Sequence, residues 1–321
     1  MSANPLRLRP VLTLPVLLVV TLGVSVLFMT LNARGNWGFV LPFRSTKLLA
    51  LVLIAYAIAV STVLFQTVTN NRILTPAIMG FDALYMLIQT LLLFFAGSAV
   101  NQLGPELKFA IETLAMVSFA TLLNTWLFSG RVRSLHLMVL VGIIFGVLFR
   151  SIANFLQRLI DPNAFVVLQD SMFASFNTFD RDLLGIAAIV IIVSSLLGLR
   201  LLSTLDVLAL GRETAINLGV AHRRVVTLIL MLVAVLVSVS TALVGPVTFF
   251  GLLVANLAYV LTGSHKHVFI LPVAVMLAII SLVGGQLIVE HVFGFDTSLS
   301  IIIEFLGGLV FIFLILKGAA R

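Results

Sequence analysis

Long apolar runs, broken by brief polar stretches, recur from one end of the chain to the other. A helix needs roughly 20 apolar residues to cross about 30 Å of hydrocarbon. Ten runs come near that length, at 11–31, 47–69, 81–98, 109–128, 135–157, 183–202, 225–245, 247–262, 268–290 and 300–317. Membrane barrels would show segments of about ten residues that alternate apolar and polar, and that pattern is absent. The runs therefore predict helices, and the connections are too short to hold a soluble domain. Residues 1–321 read as a single all-α integral membrane domain with about ten transmembrane helices. The first run follows LRLRP, as a signal peptide would. It is longer than the usual 7 to about 15 residues, and Leu31 stands where a cleavage site after Ala33 needs a small residue, so it predicts a retained helix.

Composition agrees with that reading. The chain is 61% apolar and 10% charged, with a mean hydropathy of +1.23, where soluble proteins average about 45–50% and about 25%. Cysteine is absent, which removes disulfides, thiolate metal sites and cysteine nucleophiles. The net charge of +7 and pI near 10.6 point to membrane orientation rather than to nucleic acid, because basic residues concentrate on the cytoplasmic side. With the amino terminus inside, twelve Lys and Arg fall on the cytoplasmic face. Seven fall opposite: Arg34, Arg44, Lys47, Lys108, Arg150, Arg158 and Arg181. Asp161, Asp170, Asp180 and Asp182 join those seven, so both termini are expected in the cytoplasm.

One internal stretch, residues 203–224, breaks the apolar pattern with LALGRETAINLGVAHRR at 208–224. Placing one Arg at the bilayer centre costs about 2.5–3.5 kcal/mol, so the stretch belongs in water or against another protein. Thr204 can cap a short helix through Leu210, Gly211 can supply a left-handed break, and Glu213–Leu218 can form a second helix ended by Gly219. Leu205, Leu208, Ala215 and Leu218 would give the pair an apolar side. The pattern fits a helix resting on headgroups and equally a docking element for a soluble partner.

Three ordered motifs add specificity: FQTVTNNRILTPAIMGFDAL at 65–84, LGRETAINLG at 210–219 and GPVTFFGLLVANLAYVLTGSHKH at 245–267. They resemble the signature of the FecCD or BtuC-like permeases of iron-siderophore and vitamin B12 ABC importers. That signature is Q-x-x-x-x-N-P-L-A-x-P-x-x-L-G, then L-G-x-E-x-A-x-x-L-G, then G-P-x-x-F-x-G-L. Gln66, Asn71, Pro76 and Gly80 fill the first; Leu210, Gly211, Glu213, Ala215, Leu218 and Gly219 the second; Gly245, Pro246, Phe249 and Gly251 the third. The resemblance spans essentially the whole chain. It implies a type II ABC importer permease fold in a bacterial inner membrane, carrying a ferric siderophore inward. It further implies three partners: a cytoplasmic ATPase dimer, a second homologous permease chain in a heterodimer, and an extracytoplasmic substrate-binding protein.

The same resemblance assigns residues. Gly211, Glu213, Ala215, Leu218 and Gly219 take the coupling-helix positions that sit in a cleft of the ATPase, with Arg212 as a local addition. The chain contains no G-x-x-x-x-G-K-[ST], so ATP is expected to be used by the partner, and no cofactor, metal or catalytic residue is assigned here. The run at 135–157 aligns with a path-lining helix and carries Gly142 and Gly146 as a small-xxx-small pair, with Arg150, Asn154 and Arg158 recurring every four residues. We read Gly142, Gly146, Arg150 and Asn154 as the translocation path, Arg150 being either a lining for an anionic chelate or an arginine snorkelling to headgroups. Arg44 and Lys47, ahead of the second run, inherit the docking of the binding protein. Glu112 and Glu304 read as acids near helix starts.

Several positions depart from the family pattern. Ala255 and Asn256 stand in place of Pro-His, Tyr259 in place of an Arg, and NNRIL lacks the usual Asn-Pro. These features resemble a siderophore subgroup with paired unlike permeases. Haem or vitamin B12 is the alternative cargo. An ion-coupled secondary transporter is the alternative mechanism, because TPAIMG and GPVTFFG also resemble paired Pro/Gly breaks. An intramembrane hydrolase would need a nucleophile and base at membrane depth, whereas His222, His265 and His267 fall in polar connections.

Overall fold

The computed structural model describes residues 10–32, 37–97, 104–129, 135–177, 179–294 and 297–316. Among them every regular element is helical. In chain order these are α1 (Pro10–Thr30), α2 (Trp37–Thr69), a 3-10 turn (Pro76–Met79), α3 (Phe81–Ala96), α4 (Pro105–Ser129), α5 (Leu135–Gln157), α6 (Pro162–Ser171), α7 (Arg181–Leu199), α8 (Leu202–Leu208), α9 (Arg212–Asn217), α10 (His222–Val244), α11 (Phe250–Thr262), α12 (His267–His291) and α13 (Leu299–Leu316). The apolar runs fall on α1–α5, α7 and α10–α13. Six helices (α1, α2, α5, α7, α10 and α12) are long and apolar enough to cross a membrane, and α3, α11 and Leu299–Val310 are shorter apolar helices. Arg7, Arg9, Arg34, Arg131, Arg133, Lys317 and Arg321, which contribute to the charge asymmetry, lie outside the described residues.

Three of the long helices contain proline: Pro15 in α1, Pro42 in α2 and Pro272 in α12. Each lies in the second turn, where the missing N–H removes one hydrogen bond near an end rather than breaking the ladder at its centre. The start of α2 differs from the sequence reading. α2 starts at Trp37 and not at the apolar run beginning at 47, so Arg44 and Lys47 stand inside the helix rather than ahead of it.

α2 is the axis of the bundle, with 72% of its apolar window buried, against 17% for α1 and α5. It packs on α10 on one side and α12 on the other. The first side joins α2, α3, α4 and α10 through Phe65, Leu84, Phe109, Met116 and Ile229. The second joins α1, α2, α11 and α12 through Phe28, Leu51, Ile54, Phe250 and Leu282. Lipid is as apolar as these side chains, so close packing rather than burial from water holds such helices together. Hydroxyls in the apolar segments return to their own helix: Thr21, Ser25, Thr69, Thr90, Thr121 and Ser151 each donate to the carbonyl four residues earlier. That leaves them satisfied where water is absent.

Two breaks interrupt the bundle, the 3-10 turn before α3 and the Gly245–Phe249 segment before α11. α6, which hydropathy does not predict, precedes a connection whose Ser175 N–H donates to the Val244 carbonyl at 2.8 Å.

Candidate coupling and translocation site

α8 and α9 cap one face of the bundle. α8 buries Leu205 and Leu208, and α9 buries Ala215 completely. Thr204 does not cap α8. The helix begins at Leu202, directly after the Arg200–Leu201 turn that ends α7, so Thr204 is already inside it. Gly211 has φ 97° and ψ 163°, a region that side chains other than glycine's avoid, and it redirects the chain into α9. Glu213 lies in the first turn of α9, where a negative charge faces the positive end of the helix. Gly219, at φ 85°, closes α9: Val220 N–H donates to the Ala215 carbonyl and Gly219 N–H to that of Ile216, both at 3.0 Å. This pair of bonds is a Schellman turn.

Leu218 differs from the sequence reading. It caps α9 and is 61% exposed, because the Schellman turn swings it away from the side that buries Ala215. Leu210 and Ile216 are exposed as well, alongside Arg212, Glu213, Arg223 and Arg224. The face therefore presents large apolar side chains among charges, the composition of a contact surface rather than of a solvated linker.

At the same face, the connection after α2 meets α11. Gln66 and Asn256 both donate to the Arg72 carbonyl, at 2.8 and 3.3 Å, and the Arg72 guanidinium lies 4.4 Å from the centre of the Tyr259 ring. Two departures from the family pattern are thus partners. A cation placed by the resemblance at position 259 is supplied here from position 72, and the aromatic ring receives it. An open cavity of about 620 Å³ beside this pair is lined in part by Asn71, Asp206, Leu210 and His265.

Deeper in the bundle, Gly142 and Gly146 of α5 meet the 3-10 turn before α3. A Cβ on Gly142 would stand 3.0 Å from the Met79 Cα, and one on Gly80 (φ 88°) 3.0 Å from the Gly146 Cα. The small-xxx-small pair thus admits the Pro76–Gly80 backbone of its own chain. Arg150 and Asn154, farther along α5, are exposed. Asp82, in the first turn of α3, accepts from the Thr248 hydroxyl at 2.8 Å, and Arg150 and Glu304 are the charges that act on it. The Thr248 hydroxyl thus joins α3 to the break before α11.

Glu112 and Glu304 are not in first turns; that place in α4 belongs to Glu106. Glu112 is buried and accepts from Gln89 of α3 at 2.7 Å.

On the opposite face, Arg44 donates to the carbonyls of Phe28 and Leu31, both at 2.8 Å, satisfying the end of α1. Lys47 is buried and forms an ion pair with Glu290 of α12, which also accepts from Gln286. The α2 helix begins early enough to turn the Lys47 ammonium inward, so it is directed at α12 rather than presented to a docking protein. A cavity of about 630 Å³ lined by Phe43, Arg44, Asn177 and His291 opens beside it.

Residues 11–317 match the FecCD transport family, and the chain belongs to that family. It is 50% identical over 284 residues to the petrobactin import system permease protein YclO of Bacillus subtilis (strain 168), covering 88% of this chain and 90% of the relative. It is 37% identical over 281 residues to the petrobactin import system permease protein FatC of Bacillus anthracis, covering 86% and 78%. Among solved structures, an inward-facing ABC transporter of metal-chelate type shares the fold with a TM-score of 0.84 at 21% identity, over 96% of this chain and 99% of that one. The protein is accordingly an all-helical, multi-pass membrane permease.

Proposed function

We propose that the chain is the translocation subunit of an ATP-binding-cassette importer that carries a ferric siderophore of petrobactin type into the cytoplasm. The observation that carries this reading is the 50% identity to a petrobactin import permease across 88% of the chain. The 37% identity to a second petrobactin import permease points the same way. On this reading the ten apolar segments cross a bacterial inner membrane, both termini lie in the cytoplasm, and the permease pairs with a second, homologous chain. The α8–α9 face then points inward and receives the ATPase through Gly211, Arg212, Glu213, Leu218 and Gly219, with buried Ala215 seating α9 on the bundle. The opposite face receives the binding protein beside Arg44.

The geometry supports the following cycle. Closure of the ATPase pair moves α8 and α9, short units seated on the bundle, the second of them bounded by Gly211 and Gly219. Their displacement shifts the long helices, and α5 moves with the backbone interlocked at Gly80, Gly142 and Gly146. Arg150, beside the break that precedes α11, meets the chelate as it passes. Co-expression with a homologous permease and an ATPase from the same operon should yield a complex that takes up ferric petrobactin into liposomes only with ATP and loaded binding protein. Uptake driven by an ion gradient through this chain alone would make it a secondary transporter instead.

A further inference from the structure

Three helices are tied together at the α8–α9 face by one run of hydrogen bonds. The Asp206 Oδ1 of α8 accepts the His267 backbone N–H at 2.8 Å and stands 2.6 Å from His267 Nδ1. His267 Nε2 lies 2.7 Å from the Thr67 hydroxyl near the end of α2. A carboxylate against Nδ1 holds the ring proton there, so Nε2 accepts from Thr67. Lys266, at the cap position of α12, makes no side-chain cap. Asp206 supplies that cap from another helix, and its charge faces the positive end of a 25-residue helix.

The geometry makes this tie directional. Leu205 and Leu208 also seat α8 on the bundle, but apolar contacts allow sliding at little cost, whereas bonds of 2.6–2.8 Å fix position and angle. His267 is 2% exposed, so water does not compete for its ring. The cavity of about 620 Å³ next to Asp206 leaves α8 room to move.

We infer that His267 is the positioning residue that converts displacement of α8 into movement of α12 and α2. This rests on the reading of α8 and α9 as the ATPase-docking unit. The test uses the complete complex in liposomes and measures uptake per ATP hydrolysed. His267→Ala should keep its ATPase subunits and continue to hydrolyse ATP, with uptake per ATP reduced about tenfold, the scale of a typical coupling between sites. His267→Asn can still donate to Asp206 but cannot reach Thr67, and should fall between the two. Thr67→Val should lower the ratio when His267 is present and change nothing further in His267→Ala, whereas Asp206→Asn, which also alters the cap on the backbone N–H of residue 267, should lower it in both. A structural role alone would shift thermal stability without that dependence. Wild-type uptake per ATP in His267→Ala, loss of its ATPase subunits, or an undiminished effect of Thr67→Val in its absence would each overturn the inference. Failure of the docking reading would show separately, as unimpaired transport in variants of Gly211 and Glu213.

Discussion

Replacing Gly211 with valine tests the coupling face at its narrowest point. A Cβ at Gly211 would meet nothing within 4 Å, so the cost is conformational alone. At φ 97° and ψ 163° a residue with a side chain is strained by about 1–3 kcal/mol. Relaxing the backbone instead would give up the bonds from Gly211 N–H to the Leu208 carbonyl and from Ala215 N–H to the Gly211 carbonyl, both 3.0 Å. Those are worth about 0.5–1.5 kcal/mol each, so neither route is cheaper. A bias of that size lowers the population of the docking geometry about 5- to 150-fold. Membrane insertion should be normal, because the position lies outside the apolar helices. The assay is ATPase co-purification and binding-protein-stimulated hydrolysis in the reconstituted complex, with Gly211→Val alone and with Glu213→Ala added. Gly23→Ala is the control: that glycine lies inside α1 with nothing within 4 Å, and alanine favours a helix by about 1 kcal/mol. Full ATP-driven uptake by the Gly211→Val, Glu213→Ala double variant would refute the assignment and leave α8–α9 a surface connection.

Gly80→Ala should destabilise the detergent-purified protein by about 2–5 kcal/mol, combining left-handed strain with overpacking against backbone. Gly146→Ala recovers about 1 kcal/mol of helix propensity and should cost less; equal melting midpoints would contradict the interlock. Lys47→Ala strands Glu290 in a buried site and should cost about 3–5 kcal/mol, whereas Lys47→Met with Glu290→Leu should recover most of it; an undisturbed melt of Lys47→Ala would place the ammonium at the surface. Arg150→Ala should lower uptake of an anionic ferric siderophore while the complex assembles normally, and unchanged uptake would return the residue to anchoring at the headgroups.

The helices were legible in the sequence because a membrane leaves the backbone no other way to satisfy itself. α5 runs over Leu135–Gln157, the span that hydropathy marks. Gly211 and Gly219 were legible for a similar reason, since a chain reversal selects glycine where φ is positive. Their neighbour Leu218 was not: a cap residue turns outward or inward by the geometry of one hydrogen-bonded turn, which spacing does not record. Lys47 and Glu290 stand 243 positions apart, and Asp206 and His267 stand 61 apart. Periodicity describes one helix at a time, so it carries no information about which polar groups meet across the bundle. His267 consequently read as one of several loop histidines. The start of α2 was hidden by Arg44 and Lys47, whose charges interrupt hydropathy but whose partners, the end of α1 and Glu290, lie in the folded protein.

The Arg72–Tyr259 contact limits how this chain can change. An arginine introduced at 259 would face the Arg72 guanidinium across the space now filled by the ring, and like charges at that separation repel. Removing Arg72 while keeping Tyr259 would leave the same place without its cation. Either single step passes through a less favourable intermediate, so the two positions behave as one unit of inheritance although 187 positions separate them in the chain. A chimera that exchanges α11 with a relative and leaves the connection after α2 in place would break that unit, even though every helix in it would be intact.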